Sequence, residues 1–202
     1  MLCGTVGRYR RHLEIIEDVI GIAPGAARLT AMNAVVLHSG TLFIADTFVQ
    51  EDPDAEALAE ITSLCAAEVR RFGIEPKIAL CSHSNFGTHD SLAAIKMREA
   101  LRAIRREDPE LEVEGEMRAD LALDAAMRKE RFPDSLLQDR ANLLIMPNQD
   151  AANIAFNLLQ VVGEGTAIGP ILLGAAKSAH IVTPGITVHG LLNMTALAAI
   201  RA

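Results

Sequence analysis

The chain has 202 residues, a length that suits one domain of ordinary size or two small ones. Half the residues are apolar but only 3% are aromatic, with one tyrosine and no tryptophan. The core must therefore be built from Ala, Leu, Ile, Val and Met, and aromatic platforms for single-stranded nucleic acid are excluded. A net charge of −7 argues against any nucleic-acid partner, while leaving room for a local basic pocket for one phosphate ester.

Cys3, Cys65 and Cys81 are odd in number and show no CxxC spacing. They read as small buried thiols of a reducing compartment rather than a disulfide framework or a zinc knuckle. No apolar run reaches the ~18 to 20 residues that span a bilayer, and the N-terminus lacks the charged-then-apolar order of a signal peptide. A cytoplasmic protein with no membrane partner is expected.

In chain order, the apolar spacing of Leu13, Ile16 and Ile20 predicts a helix over 8–20, stopped by Gly21, Pro24 and Gly25. Strands 34–38 and 41–47 flank Ser39-Gly40, a two-residue hairpin signal. A helix follows, capped by Asp52 or Asp54, with Arg70 and Arg71 in its last turn and Gly73 beyond. Charges oppose the helix dipole at both of its ends. KIALCS (77–82) reads as a strand buried on both faces, and the loop HSNFGTHDS leads into a helix over 91–106. LEVEG (111–115) is expected as a strand, followed by one helix to about Arg131. Strand 141–147, helix 150–162, strands near 168–172 and 180–183, and a helix over 188–201 complete the pattern. Such alternation predicts an α/β fold, three layers α/β/α around a largely parallel sheet. The chain begins with a helix almost at once and ends on a strand and helix suited to the edge of a second lobe, so it is expected to be part of a larger module.

Two stretches carry candidate chemistry. Ser82, Ser84, Asn85, Gly87 and Thr88 lie where a strand end opens a helix, with side chains suited to phosphate oxygens. A helix cap plus a polar turn accounts for the same residues equally well. His83 and His89 have no third ligand at metal spacing. Asn148, Asp150 and Asn153 follow a strand; one of them must cap the next helix, and three together suggest a cleft. Asp120 reads as a surface acid or, alternatively, a cleft residue. No Walker loop, GxGxxG, GxSxG or HExxH is present.

The segments ADTFVQEDPDAEALAEI, FGIEPKIALCSHSNFG, EGEMRADLALD, ANLLIMPNQDAANIAFNLLQ, AIGPILLGAAK and LLNMTALAAI stand in the order of the phosphate acetyl/butyryltransferase family, which the chain resembles. The wordings SHSNFG, MPNQDAANIAFNLLQ, GPILLGAAK and NMTALA are similar to the transferase-like C-terminal region of large bacterial NADP-dependent malic enzymes. The resemblance implies a phosphotransacetylase-like fold, with 1–170 as a second lobe and 171–202 returning to a first lobe. It also implies a linked malic enzyme domain, where NADP and a divalent metal would bind, no cofactor or metal in this segment, and a homodimer or higher homo-oligomer.

Family transferases carry a Ser-Arg-Gly triplet before the last helix and an acid in that helix's first turn. Here those positions are Thr183, Pro184, Gly185 and Gly190, and Phe86 stands where a basic residue is common. A catalytically degenerate site with no catalytic residue is therefore expected, one that binds acetyl-CoA as an allosteric effector. Its expected contacts are Ser82, Ser84, Asn85 and Thr88 on one wall and Asn148, Asn153, Lys177 and Thr183 on the other, with Lys177 facing either a CoA phosphate or solvent. An active phosphate acetyltransferase and a purely structural dimerisation module stay open as alternatives.

Overall fold

Strand–helix units account for most of the chain, and the computed structural model describes residues 1–200. The elements are β1 (Leu2–Cys3), α1 (Tyr9–Val19), β2 (Thr30–Leu37), β3 (Gly40–Ala45), α2 (Ala55–Arg71), β4 (Ile78–Cys81) and α3 (Leu92–Glu107). They continue with β5 (Val113–Met117), α4 (Ala119–Leu123), α5 (Ala125–Arg131), β6 (Leu143–Ile145), α6 (Gln149–Val162), β7 (Thr166–Leu173), β8 (His180–Ile181) and α7 (Val188–Ile200).

One sheet has the strand order β5-β4-β6-β3-β2-β7. Its first four strands run parallel, and β2 runs antiparallel to both β3 and β7. Because side chains alternate along a strand, Ile78 and Leu80 face one helical layer while Ala79 and Cys81 face the other. The first layer packs Leu58, Ile61 and Val69 of α2 and Met97 and Ile104 of α3 on the sheet. The second brings Leu121 and Ala122 of α4 and Ala152 and Phe156 of α6 against Val35, Ile44 and Leu144. The expected three-layer α/β/α architecture is thus observed. β1 and β8 pair parallel in a separate two-stranded sheet, Leu2 opposite His180 and Cys3 opposite Ile181.

Local chemistry decides the helix starts. Asp54, not Asp52, caps α2 through a 2.8 Å bond from Ala57 N–H; Ser91 caps α3 and Asn148 caps α6 in the same way. Two sequence expectations are corrected here, and one strand is added. The helix expected to reach Arg131 is two, because Asp124 leaves helical geometry (φ −115°, ψ 96°) and its carboxylate caps α5 at Met127 N–H. The strand expected over 111–115 is shifted to Val113–Met117, carrying the acids Glu114 and Glu116 into the interior, where Arg105 and Arg98 meet them. β1 was not expected, since two residues have no periodicity to read.

The connections set up a crevice. β3 leads through α2 to β4 on one side of it, whereas β6 leads through α6 to β7 on the other. The strand order reverses between β3 and β6, and ligands of open α/β sheets bind outside the carboxyl ends at such a point.

Candidate ligand-binding site

The loop after β4 is built around a buried acid. Glu116 is 0% exposed, and its Oε1 accepts from Ser84 Oγ (2.7 Å), Gly87 N–H (3.0 Å) and Arg98 Nη1 (3.2 Å). Arg98 also donates to His89 O and to Asp90. Thr88 Oγ1 accepts from Asn85 N–H and lies 3.2 Å from Ser84 Oγ, Ser82 Oγ accepts from Ser84 N–H, and Asn85 Oδ1 accepts from Arg118 N–H. The four side chains selected for phosphate are thus engaged within the protein, and the cation beside them, Arg98, is paired with Glu116 and Asp90. The rings of His83 and His89 lie 5.4 Å apart, and among the described residues no three His, Cys, Asp or Glu side chains gather as metal ligands. Phe86 packs on Phe132 at 4.6 Å between ring centroids.

At the strand crossover, Asp46 follows β3 and is 2% exposed. Its oxygens accept from Thr30 Oγ1 and from the N–H groups of Ala31, Phe48, Val49 and Gln50. Burial pushes its carboxyl above the usual carboxylate range, and these donors pull the other way. The neighbouring Thr47 Oγ1 donates to Asn33 Oδ1 at 2.7 Å, and Thr47 O accepts from Asn153 Nδ2 at 3.5 Å. Asn157 Nδ2 in turn donates to Asn153 O and Oδ1, both at 2.9 Å. A polar chain therefore runs from β3 to a cavity of about 450 Å³ beside β7, lined by Asn33, Asn157, Gln160, Thr183, Gly185 and Gly190, with others.

Of the sequence-selected residues, Thr183 lines this cavity, and Asn153 is bonded to the lining residue Asn157. Asn148 is engaged as the cap of α6. Lys177 lines a different cavity of about 740 Å³ with Glu68, Arg71 and Ser178. The loop after β4, expected on the wall facing Thr183, stands four strand spacings from β7, on the order of 19 Å. Sequence reading missed Asn33, Asn157, Gln160, Arg98 and Glu116. For Asn33 a signal existed: it is a lone carboxamide in the otherwise apolar run AMNAVVL.

Residues 1–199 match the family model of phosphate acetyl/butaryl transferase. The chain belongs to that family. It is 51% identical over 203 residues to an NADP-dependent malic enzyme of Escherichia coli, a match that takes in 100% of this chain and 27% of that protein. It is 33% identical to a phosphate acetyltransferase of Corynebacterium glutamicum, covering 100% of this chain and 61% of that one. Among solved structures, a phosphotransacetylase from Streptococcus pyogenes superposes with a TM-score of 0.92 at 29% identity, covering 99% of this chain and 62% of that one. The chain thus spans about a quarter of the length of its malic enzyme relatives and under two thirds of these two transferases.

Proposed function

We propose that this chain is a phosphotransacetylase-like regulatory module of a larger malic enzyme, binding acetyl-CoA with its transferase chemistry lost. The observation that carries this reading is the lining of the cavity beside β7. Thr183, Gly185 and Gly190 meet there, at positions where the family resemblance implies serine, glycine and a helix acid, and Pro184 stands in place of the arginine. Among the described residues lining it there is no Arg, Lys, Asp or Glu. Losing a charge-assisted contact in a closed site costs ~10² to 10³ in rate, and losing the base a further ~10² to 10⁴. Binding needs fewer aligned groups than turnover.

As an effector, acetyl-CoA must bind one state of the assembly better than another. Residues 1–170 would form the second lobe of the module and 171–202 would lead into a first. NADP and a divalent metal would belong to the linked enzyme domain. The test is a calorimetric titration of the 202-residue chain with acetyl-CoA in phosphate buffer. Saturable heat at fixed stoichiometry without CoA release is expected. Absence of heat, or steady phosphate-dependent release of CoA, overturns the proposal, the latter in favour of an active transferase.

A second role, self-association, is favoured by α6. Ile154, Leu158, Val161 and Val162 recur at helical spacing and are 59%, 58%, 76% and 80% exposed, an apolar stripe of the kind that dimers cover. Sedimentation should show a dimer that Leu158→Glu converts to monomer. A monomer at high concentration removes this role.

A further inference from the structure

The loop between β4 and α3 is polar, and Phe86 is its one large apolar side chain over residues 82–90. Phe86 has a backbone φ of +48°, and Gly87 follows at +87°. Glycine enters this left-handed region at little cost, but for a bulky residue it is an outlier that persists only where the surroundings enforce it. Three contacts enforce it here. Phe86 N–H donates to Glu116 O at 2.8 Å and Gly87 N–H donates to Glu116 Oε1 at 3.0 Å. The Phe86 ring lies against Phe132, with centroids 4.6 Å apart and planes tilted by 46°. Both rings pack on the second core layer, which holds Leu121 and Leu137.

The two sides of this ring contact are fastened differently. Phe132 closes α5, its N–H donating to Arg128 O at 2.7 Å. The guanidinium of Arg128, 1% exposed, donates to Leu121 O, Leu137 O and Asp139 O. Leu136 N–H and Gln138 N–H donate to the carboxylates of Glu114 and Glu112. The segment after Phe132 is thus tied to α4 and β5 by bonds that do not involve the loop. On the loop side, His83, Gly87, Thr88, His89 and Asp90 are all exposed, and the ring of Phe86 is the sole apolar anchor.

We infer that Phe86 is a strained latch: its ring, seated on Phe132, holds the turn over 84–88 closed against a left-handed backbone. Release of the ring opens that turn while the segment after Phe132 stays in place. A ligand or partner that needs the turn in another shape binds only the unlatched fraction, so the latch lowers its apparent affinity by that fraction. The device is particular to this chain. A basic side chain, which the family resemblance implies at position 86, would keep its charge in solvent instead of seating on Phe132. The latch stands whether or not the chain binds an acyl-CoA.

Amide hydrogen exchange on the ligand-free 202-residue chain reads the opening residue by residue. Phe132→Ala removes the seat and should speed exchange at Phe86 and Gly87 about tenfold or more. Leu136, Gln138 and the β4 amides of Ala79, Leu80 and Cys81 should keep their rates. Phe132→Leu, which restores an apolar seat, should return most of the protection. Phe86→Ala removes the ring from the other side, at a half-buried loop position, and decides the matter if Phe132→Ala does not fold. The double variant should open the turn little more than either single change, because both break one contact. Unchanged exchange at Gly87 in the folded variants overturns the latch. So does acceleration that extends equally to β4, the mark of a general loss of stability, or a double variant whose effect is the product of the two singles.

Discussion

Replacing Arg98 by methionine tests whether the loop after β4 is a clamp on Glu116 rather than an anion cradle. Glu116 is 0% exposed while the Arg98 side chain is 20% exposed. Methionine fills the apolar part of the arginine stem but removes the cation. Breaking a buried ion pair from one side costs about 3 to 5 kcal/mol, because the remaining charge stays desolvated. Ser84 Oγ and Gly87 N–H still donate to Glu116, which puts the expectation at the lower end, about 3 kcal/mol. The Arg98–Asp90 contact adds little, since Asp90 is 85% exposed and exposed pairs contribute at most ~1 kcal/mol. In urea, with a slope of about 2 to 3 kcal/mol/M for a chain of this size, the midpoint should fall by about 1 to 1.5 M. Glu116→Gln should cost less, and the double variant should cost less than the two singles summed. A midpoint shift below about 0.3 M for Arg98→Met, or strict additivity, would refute the clamp.

The other predictions concern stability. Asp46→Asn should destabilise by about 2 to 4 kcal/mol in the same assay, because both carboxylate oxygens accept from donors and an amide nitrogen would face N–H or O–H groups. Gly174→Ala should cost at least about 2 kcal/mol, since φ is +84° and a Cβ would sit 2.2 Å from Arg28 O. His180 is 0% exposed, and burial, followed by the positive N-terminus, pushes it down to about 4 from 6.5. The unfolded chain therefore takes up the proton first, and stability should fall as pH drops from 6.5 towards 4, by about 1.4 kcal/mol per unit at most from this group. His180→Asn, which preserves an acceptor for Leu172 N–H, should flatten the profile in that window; an unchanged slope would show that His180 is not its source.

Hydrophobic pattern and turn chemistry were enough to place the helices and most strands. Those signals are local: period and caps act within a few residues, as at Asp54, Ser91 and Asn148. The family too was readable, because six motif blocks in order need no coordinates. What the sequence could not determine is which polar side chains are free. Ser84 and Thr88 have the composition of a phosphate loop, yet Glu116, 32 residues from Ser84, engages the serine. Asn157 looks unremarkable in sequence, and the lone carboxamide Asn33 does not reveal its partner there; both line one cavity, with Thr47 bonded to Asn33 and Asn153 to Asn157. The burial of Glu114 and Glu116 has the same origin. Hydrogen bonds and ion pairs between residues distant in the chain exist only once the sheet order is set, so tertiary structure alone decides whether a polar group is spent on the fold or left for a ligand.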